Sequence, residues 1–295
     1  MKLRIVWNLT NKCPFNCQIC AAAANFRKSS YINKELILKS ILTIGKNNVC
    51  IDFSGGDPLM EKNDINLIRK AVGIIGKENI SISTTGLSLE KLTDKEILDL
   101  SQSYDLTYDF PIKYNYLDKR DINYNLKNFE QGKRITKLGL DLNIFIPLQN
   151  MKNYLENELV KDLIELNPKS ISIIRLMPVG SLFNQNIIDF NEKEAYNNLK
   201  SKLLQNNYKG DIKATCSLRT VLKHVKGCNM INDKYGIDHL GNLYFCIWAA
   251  DILNNDNPFL LGNLLENDMN LLIFNNNILL DKNNCAVYQY VKKKK

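Results

Sequence analysis

The feature that most constrains the fold is an alternation of short apolar runs with helix-like stretches over residues 1 to about 180. The runs are rich in Val, Ile, Phe or Tyr and end in polar or turn residues, as strands do. They cover residues 3–9, 49–53, 80–84, 106–110, 140–146 and 171–176. Helices are predicted near 34–46, 60–76, 90–102, 122–137 and 150–166. Six strands alternating with helices predict an α/β fold with a parallel sheet, whose chemistry gathers at the carboxyl ends of the strands.

The alternation stops after residue 180. A helix is predicted near 191–206, and two β runs around Leu240-Gly241-Asn242 predict a hairpin within 236–246. A second, smaller C-terminal module is therefore expected. The predicted division is a main unit (1–185), a helical linker (186–209), the small module (210–288) and a basic, solvated end (289–295).

Length and composition exclude several protein classes. A chain of 295 residues with 45% hydrophobic residues buries enough surface to fold without disulfides and is not a disordered chain. No apolar run reaches the roughly 18 residues of a membrane span, and the N-terminus lacks the pattern of a signal peptide. We therefore expect a soluble, cytoplasmic protein without a membrane partner. The net charge of +8 favours acidic partners only mildly, and no clear nucleic-acid site is visible.

Cysteine is abundant, with eight residues against two histidines. In a reducing cytoplasm such sulfurs serve as metal ligands or reactive groups more often than as disulfides. Cys50 stands alone in a buried-strand pattern and is interpreted as a packing residue. Cys13, Cys17 and Cys20 instead form a C-x3-C-x2-C motif directly after the first strand. Three thiolates there can hold three irons of a 4Fe-4S cluster and leave the fourth iron open, whereas a structural zinc ion needs a fourth ligand close by.

With this motif the chain resembles the radical S-adenosylmethionine (radical SAM) superfamily. The resemblance implies a partial (β/α)6 barrel whose open iron chelates the amino and carboxylate groups of SAM. One electron, from an external donor such as flavodoxin or ferredoxin, then cleaves SAM to a 5′-deoxyadenosyl radical that abstracts hydrogen from the substrate. The cofactors carry this chemistry, and the protein positions them and excludes solvent.

The resemblance extends to turns that follow other strands. Residues after the second strand resemble the family's Gly-Gly-Glu-Pro motif, which implies contact with the methionine ammonium, although here an aspartate replaces the glutamate. The third-strand turn resembles one that lies near the ribose, and the fifth strand resembles one whose backbone meets adenine. The sixth-strand ending implies an arginine that pairs with a carboxylate of SAM or of the substrate. The residues implied in cofactor binding are Gly55, Gly56, Asp57, Pro58, Ser83, Thr85, Asn143, Ile146 and Arg175.

The remaining four cysteines lie in the C-terminal part of the chain and form a second group, Cys216, Cys228, Cys246 and Cys285. Their spacing around Gly241 resembles the opening of a SPASM module or of its shortened relative, the twitch module. This implies one auxiliary 4Fe-4S cluster. If three of the four thiols bind the cluster, its fourth iron is open to substrate, and Cys216 is then a candidate hydrogen-atom donor. A zinc ion bound by four cysteines is a further alternative.

The first functional hypothesis is a radical SAM oxidoreductase that matures a ribosomally made peptide by crosslinking, epimerisation or oxidation. The second is a radical SAM dehydrogenase or epimerase of a small molecule such as an aminocyclitol or a sugar. The third is a non-catalytic zinc- or nucleic-acid-binding protein.

Overall fold

The computed structural model describes residues 2–17, 19–24, 32–107, 122–149, 153–183, 190–223, 234–252, 257–274 and 284–294. The strands within these ranges are β1 Leu3–Thr10, β2 Val49–Gly55, β3 Ile80–Thr84, β4 Ser103–Thr107, β5 Asp141–Pro147, β6 Ser170–Ile174, β7 Asp211–Ala214, β8 Lys234–Ile237, β9 Asn242–Tyr244 and β10 Leu260–Asn263. They form one sheet in the order β10-β9-β8-β1-β2-β3-β4-β5-β6-β7.

The helices follow the strands in alternation through the first two thirds of the chain. They are α1 Lys34–Leu42, α2 Lys62–Ile75, α3 Asp94–Leu100, α4 Ile122–Lys137, α5 Asn153–Leu166, α6 Glu192–Gln205, α7 Cys216–Val221, α8 Ile247–Ala250, α9 Met269–Phe274 and α10 Ala286–Lys294. The Asn33 side chain caps α1 by accepting a hydrogen bond from the Leu36 amide. None of the described helices has the length and hydrophobicity that crossing a membrane requires.

The predicted α/β architecture is confirmed. Strands β1 to β7 are parallel to their neighbours, and the sheet forms an open, partial barrel rather than a closed one. The fourth strand begins at Ser103, earlier than the predicted start at residue 106. The prediction missed its first residues because two of them are polar. Ser103 and Asp105 pair with Asp141 and Asn143 of β5. A search for apolar runs does not detect a strand whose alternate residues are polar.

The two faces of the sheet have opposite chemistry. Cross-strand partners share a face, and one such row is Trp7, Phe53, Ile82, Tyr104 and Leu142, all buried in the core that the helices complete. Fully burying one side chain of this kind stabilises the fold by roughly 1.5–3 kcal/mol.

The opposite face of the sheet, inside the partial barrel, is polar. Arg4 of β1 pairs with Asp52 of β2. The Asp105 carboxylate of β4 accepts hydrogen bonds from the Ser81 hydroxyl (3.0 Å) and from the side-chain amide of Asn143 (2.8 Å). This network links neighbouring strands through side chains and satisfies buried polar groups.

The C-terminal strands extend the same sheet beyond β1. Strand β8 pairs with β1 in parallel. Strand β9 pairs antiparallel with β8 on one side and with β10 on the other. The predicted hairpin is confirmed as β8–β9, with Gly241 in the turn at a φ of +85° that favours glycine. At the other edge, β7 pairs with β6. Residues 210–288 therefore contribute to both edges of the sheet, and the division into domains stays a prediction.

Residues 289–294, part of the predicted basic tail, lie in a helix, and the side chains of Lys292 and Lys293 are exposed as expected. These residues continue α10, and Val287 and Val291 are fully buried. Tyr290 packs edge-on against Phe259, with 5.6 Å between the ring centroids. The two valines lie four residues apart and so occupy one face of the helix, which anchors it although lysines follow.

Asp105 makes the stability of the barrel depend on pH. Burial, and after it the Asp52 carboxylate, raise the pKa of Asp105 from 3.8 to about 6. Its contribution to stability is therefore fully present below pH 3.8 and is lost as the pH rises through 6. We compare the free energy of unfolding of Asp105→Asn with that of the wild type. As the pH rises from 4 to 7.5, we expect this difference to shift in favour of the variant by about 1 to 3 kcal/mol. Urea unfolding at both pH values measures this change.

The matched control is Asp99→Asn, which removes an exposed carboxylate. Its effect on the free energy of unfolding should be small and similar at both pH values. If the effect of Asp105→Asn on the free energy of unfolding were also the same at both pH values, Asp105 would not be the group responsible for the pH dependence.

Candidate functional site

The three clustered cysteines lie in the loop that leaves the carboxyl end of β1. Cys13, Cys17 and Cys20 are partly buried. The loop folds back on itself through hydrogen bonds from the Cys20 amide to the Cys17 carbonyl and from the Ala23 amide to the Cys20 carbonyl, both 3.2 Å long. The loop therefore has a defined backbone path at the sheet edge where chemistry was expected.

The Gly55-Gly56 turn after β2 holds one side of this loop. The Gly56 amide donates to the Thr10 carbonyl (2.7 Å), and the Asp57 amide donates to the Lys12 carbonyl (2.8 Å). A Cβ atom on Gly56 would overlap the Lys12 carbonyl. The glycine is therefore required for close approach of the two backbones, a role that the sequence alone did not reveal.

The turn after β6 holds the other side. The Ser181 amide donates to the Cys20 carbonyl (2.9 Å), and the Gly180 amide donates to the Asp251 carbonyl (2.9 Å). A Cβ atom on Gly180 would overlap the carbonyl of Ala21. The cysteine loop is thus fixed between the turns that follow β2 and β6, and Asp251 at the end of α8 supports the second turn.

Asp57 joins the cysteine loop to the turn after β3. Its fully buried carboxylate accepts hydrogen bonds from the Thr84 hydroxyl (3.0 Å), the Thr85 amide (3.2 Å), the Ser88 hydroxyl (2.9 Å) and the Leu59 amide (3.1 Å). The Thr85 hydroxyl also donates to it. These bonds satisfy the buried charge. Pro58 beside it is buried as well.

Two other predicted cofactor residues belong to the polar interior network. The Ser83 hydroxyl lies 3.4 Å from Asp105, and the Asn143 amide donates to Asp105 and to Ser103. Ile146 lies on the opposite face of β5, where its side chain is fully buried in the apolar core. The side chains of Asn143 and Ile146 therefore lie on opposite faces of the sheet. They cannot both contact one cofactor inside the barrel, although the backbone of β5 can.

Arg175 lies just beyond β6 and is held by residues from two helices. Its Nε donates to the Glu192 carboxylate at 2.8 Å, and its guanidinium carbon lies 3.6 Å from the centre of the Tyr288 ring. Sequence reasoning missed both partners, because neither Glu192 nor Tyr288 belongs to a motif. A cavity of about 460 Å³ opens beside this arginine.

The C-terminal cysteines occupy the starts of short helices. Cys216 is the first residue of α7, while Cys246 and Cys285 are buried and immediately precede α8 and α10. Cys228 lies outside the described residues. Cys285 lines the cavity beside Arg175 together with Thr220 and Val221 of α7, so α7 and the start of α10 meet there. Cys246 is not among the residues that line it.

The donor set of the N-terminal loop fits an iron–sulfur cluster. Among the described residues, no three His, Cys, Asp or Glu side chains converge as they would on a single metal ion, but in a cluster each thiolate binds a different iron. Burial raises the pKa of the Cys20 thiol, and the Asp251 carboxylate adds to this effect. Cys20 therefore favours the neutral thiol until a metal replaces its proton.

Comparison with known proteins finds a family match over part of the chain. Residues 7–113 match the sequence model described as the radical SAM superfamily. Over this segment the chain is similar to radical SAM proteins. This match includes the cysteine loop, the Gly-Gly turn and the turn after β3.

Solved structures of two proteins with bound S-adenosylmethionine share the fold. Streptococcus suis SuiB bound to S-adenosylmethionine superposes with a TM-score of 0.74 at 19% identity, over 91% of this chain and 64% of that one. The structure of anSMEcpe with bound AdoMet gives a TM-score of 0.66 at 17% identity, over 93% of this chain and 80% of that one. At these identities the likeness shows the fold alone.

Curated relatives of similar sequence are GTP 3′,8-cyclases. The protein from Alkaliphilus metalliredigens is 25% identical over 185 residues, which cover 59% of this chain and 56% of that protein. The protein from Moorella thermoacetica is 26% identical over 188 residues, which cover 59% and 55%. The alignment thus spans just over half the length of these relatives.

The contact between Gly56 and Lys12 provides a test of the site. We expect Gly56→Ala to displace the cysteine loop and to lower the iron bound after anaerobic reconstitution by at least about half, because two backbones must separate to admit a methyl group. Iron per chain is measured by a colorimetric assay.

The control is Gly73→Ala in α2, where an added Cβ meets nothing within 4 Å. This change should leave the iron content unaltered and stabilise the helix by roughly 0.5–1 kcal/mol. Full iron loading of Gly56→Ala would show that the glycine contact does not position the loop.

Proposed function

We propose that this protein is a radical SAM enzyme that abstracts a hydrogen atom from a peptide substrate during crosslinking, epimerisation or oxidation. The observation that carries the proposal is the cysteine loop. Three cysteines lie at the carboxyl edge of a partial barrel, on a backbone held from both sides by close glycine contacts. The radical SAM domain match covers that loop.

Cys13, Cys17 and Cys20 hold three irons of the cluster in this proposal. A bound cluster would supply the one electron that cleavage of SAM requires. The Gly55-Gly56 and Gly180-Ser181 turns fix the loop, and the Asp57 carboxylate fixes the turn after β3 against the same loop. These rigid contacts hold the cysteines relative to the barrel edge before any cofactor binds, which reduces the cost of organising the site.

The barrel interior orients and encloses the reactants. Buried hydrogen bonds around Asp105 and Asn143 satisfy the polar groups at its base, so few of these groups are left to bind loose water there. Exclusion of solvent protects a reactive radical from side reactions. An external one-electron donor, such as flavodoxin or ferredoxin, completes the proposed cycle.

Two comparisons favour different substrates. SuiB has been solved with the precursor peptide SuiA, and anSMEcpe with the Cp18Cys peptide. These likenesses cover more than nine tenths of this chain. They support a peptide substrate. The GTP 3′,8-cyclase relatives support the second hypothesis, a small-molecule substrate. A short precursor gene beside the gene for this chain would favour the peptide, and its absence would favour the small molecule.

The C-terminal cysteines support an auxiliary 4Fe-4S cluster as part of the proposal. Cys216, Cys228, Cys246 and Cys285 are its proposed ligands. The three of them that the structure describes lie at the starts of helices α7, α8 and α10. If Cys216 is not a ligand, its thiol is the proposed hydrogen-atom donor. The resemblance to a SPASM or twitch module remains a prediction.

Single cysteine variants test the proposal. Anaerobically purified wild-type protein should be brown and contain about eight irons per chain. Cys17→Ala should retain about four irons and lose SAM cleavage, because the first cluster then lacks a ligand. Cys246→Ala should also lose about four irons but keep SAM cleavage, because the first cluster is intact.

Cys50→Ala is the matched control, since Cys50 is a free thiol of β2 outside both groups; it should keep all the iron. Cys216→Ala should lose iron if Cys216 is a ligand and lose only product if it donates hydrogen. Colourless protein that binds zinc and never cleaves SAM would exclude the proposed function.

A further inference from the structure

The cavity beside Arg175 has a lining that the reaction proposed above does not explain. It measures about 460 Å³, and its described lining residues come from the end of β6, from α7 and from α10. This volume falls in the range of sites for small molecules. Because Arg175 directly follows Ile174, the last residue of β6, the cavity opens at the same edge of the parallel sheet as the cysteine loop.

Helix α10 presents a basic face to this cavity. Cys285, Tyr288, Gln289, Lys292 and Lys293 line it and follow one another at helical spacing. Val287 and Val291, on the other face, are fully buried. The packing of the valines therefore fixes which face of α10 the cavity receives, and the two lysines are held there by a folded helix.

The lining carries more positive charge than the neighbouring acid balances. Arg175, Lys292 and Lys293 contribute three cations, and no Asp or Glu is among the described lining residues. Arg175 and Lys292 both lie beside the Tyr288 ring, at 3.6 Å and 5.6 Å from its centre. Glu192, which pairs with Arg175, offsets one charge. A concave surface lined by one sign of charge concentrates ions of the opposite sign.

The neutral lining residues complete a site for a polar anion. Thr220, Asn284 and Gln289 have side chains that can hydrogen-bond, and Tyr288 provides a flat wall. Arg175 donates one of its five N–H groups to Glu192, and the planar guanidinium matches the oxygens of a carboxylate or a phosphate.

We propose that this cavity binds an anionic group of the substrate, a carboxylate or a phosphate, through Arg175, Lys292 and Lys293. Anion binding stands on the cavity itself, while the identification of the anion with the substrate rests on the proposed function. An acidic side chain of a peptide and a phosphate of a small molecule offer the same chemistry. They are distinguished by the probe that binds.

The test uses isothermal titration calorimetry on the full, anaerobically reconstituted chain. One probe is a hexaglutamate peptide, and the other is inorganic tripolyphosphate. We expect at least one of them to bind, and the double variant Lys292→Gln/Lys293→Gln to weaken that binding about tenfold, through loss of charge-assisted hydrogen bonds. Binding of hexaglutamate identifies a site for acidic peptides, and binding of tripolyphosphate alone identifies a site for phosphates.

The matched control is Lys209→Gln, which removes one exposed charge outside the cavity and should change the affinity by no more than about twofold. Absence of binding by both probes would overturn the proposal. So would a loss in Lys209→Gln as large as that in the double variant, because binding would then follow overall charge. Neither result depends on SAM cleavage, so failure of this site and failure of the proposed function are separate outcomes.

Discussion

Three backbone hydrogen bonds at the edge of the sheet support everything proposed for this protein. Thr10 and Lys12 accept from the turn after β2, and Cys20 accepts from Ser181 after β6. Each bond alone contributes only about 1 kcal/mol. Together they join the two ends of the cysteine loop to strands that are far apart in the sheet. The loop can therefore keep one conformation only while the partial barrel keeps its curvature.

Glycine makes this arrangement possible, and it does so for a packing reason. At Gly56 and Gly180 a single added carbon would overlap a carbonyl oxygen of the cysteine loop. Asp57 adds a third connection, because its buried carboxylate gathers donors from the turn after β3. Shape and charge therefore act on the same loop: the glycines allow close approach, and the aspartate holds the neighbouring turn in register.

The sequence predicted the parts of the fold whose signal is local. The strands and helices near the cysteine motif follow from apolar periodicity, and the β8–β9 hairpin follows from its turn residues. Strand β4 began earlier than predicted because Ser103 and Asp105 face the polar interior. Helix α10 was not predicted, because its lysines obscured the spacing of Val287 and Val291, a signal that was available. These errors arise where polar or charged residues serve a packed element.

The site was predictable in its motifs and not in its contacts. The cysteine spacing predicted the loop, but the partners of Asp57, the support by Asp251 and the ion pair between Arg175 and Glu192 join segments that are distant in sequence. No local sequence pattern predicts such contacts, because they form only when the strands assemble into the sheet. Arg175 shows the consequence: it was expected beside a cofactor carboxylate, and the structure reveals a protein carboxylate and an aromatic ring beside it.

The central claim is that the cysteine loop holds a cluster with an iron open to SAM, and electron paramagnetic resonance tests it most directly. The measurement uses reduced Cys246→Ala protein, in which the proposed auxiliary cluster is lost and the N-terminal cluster alone contributes a signal. We predict a reduced four-iron signal whose g-values shift when SAM is added. A signal that excess SAM leaves unchanged, or the absence of any four-iron signal, would contradict it.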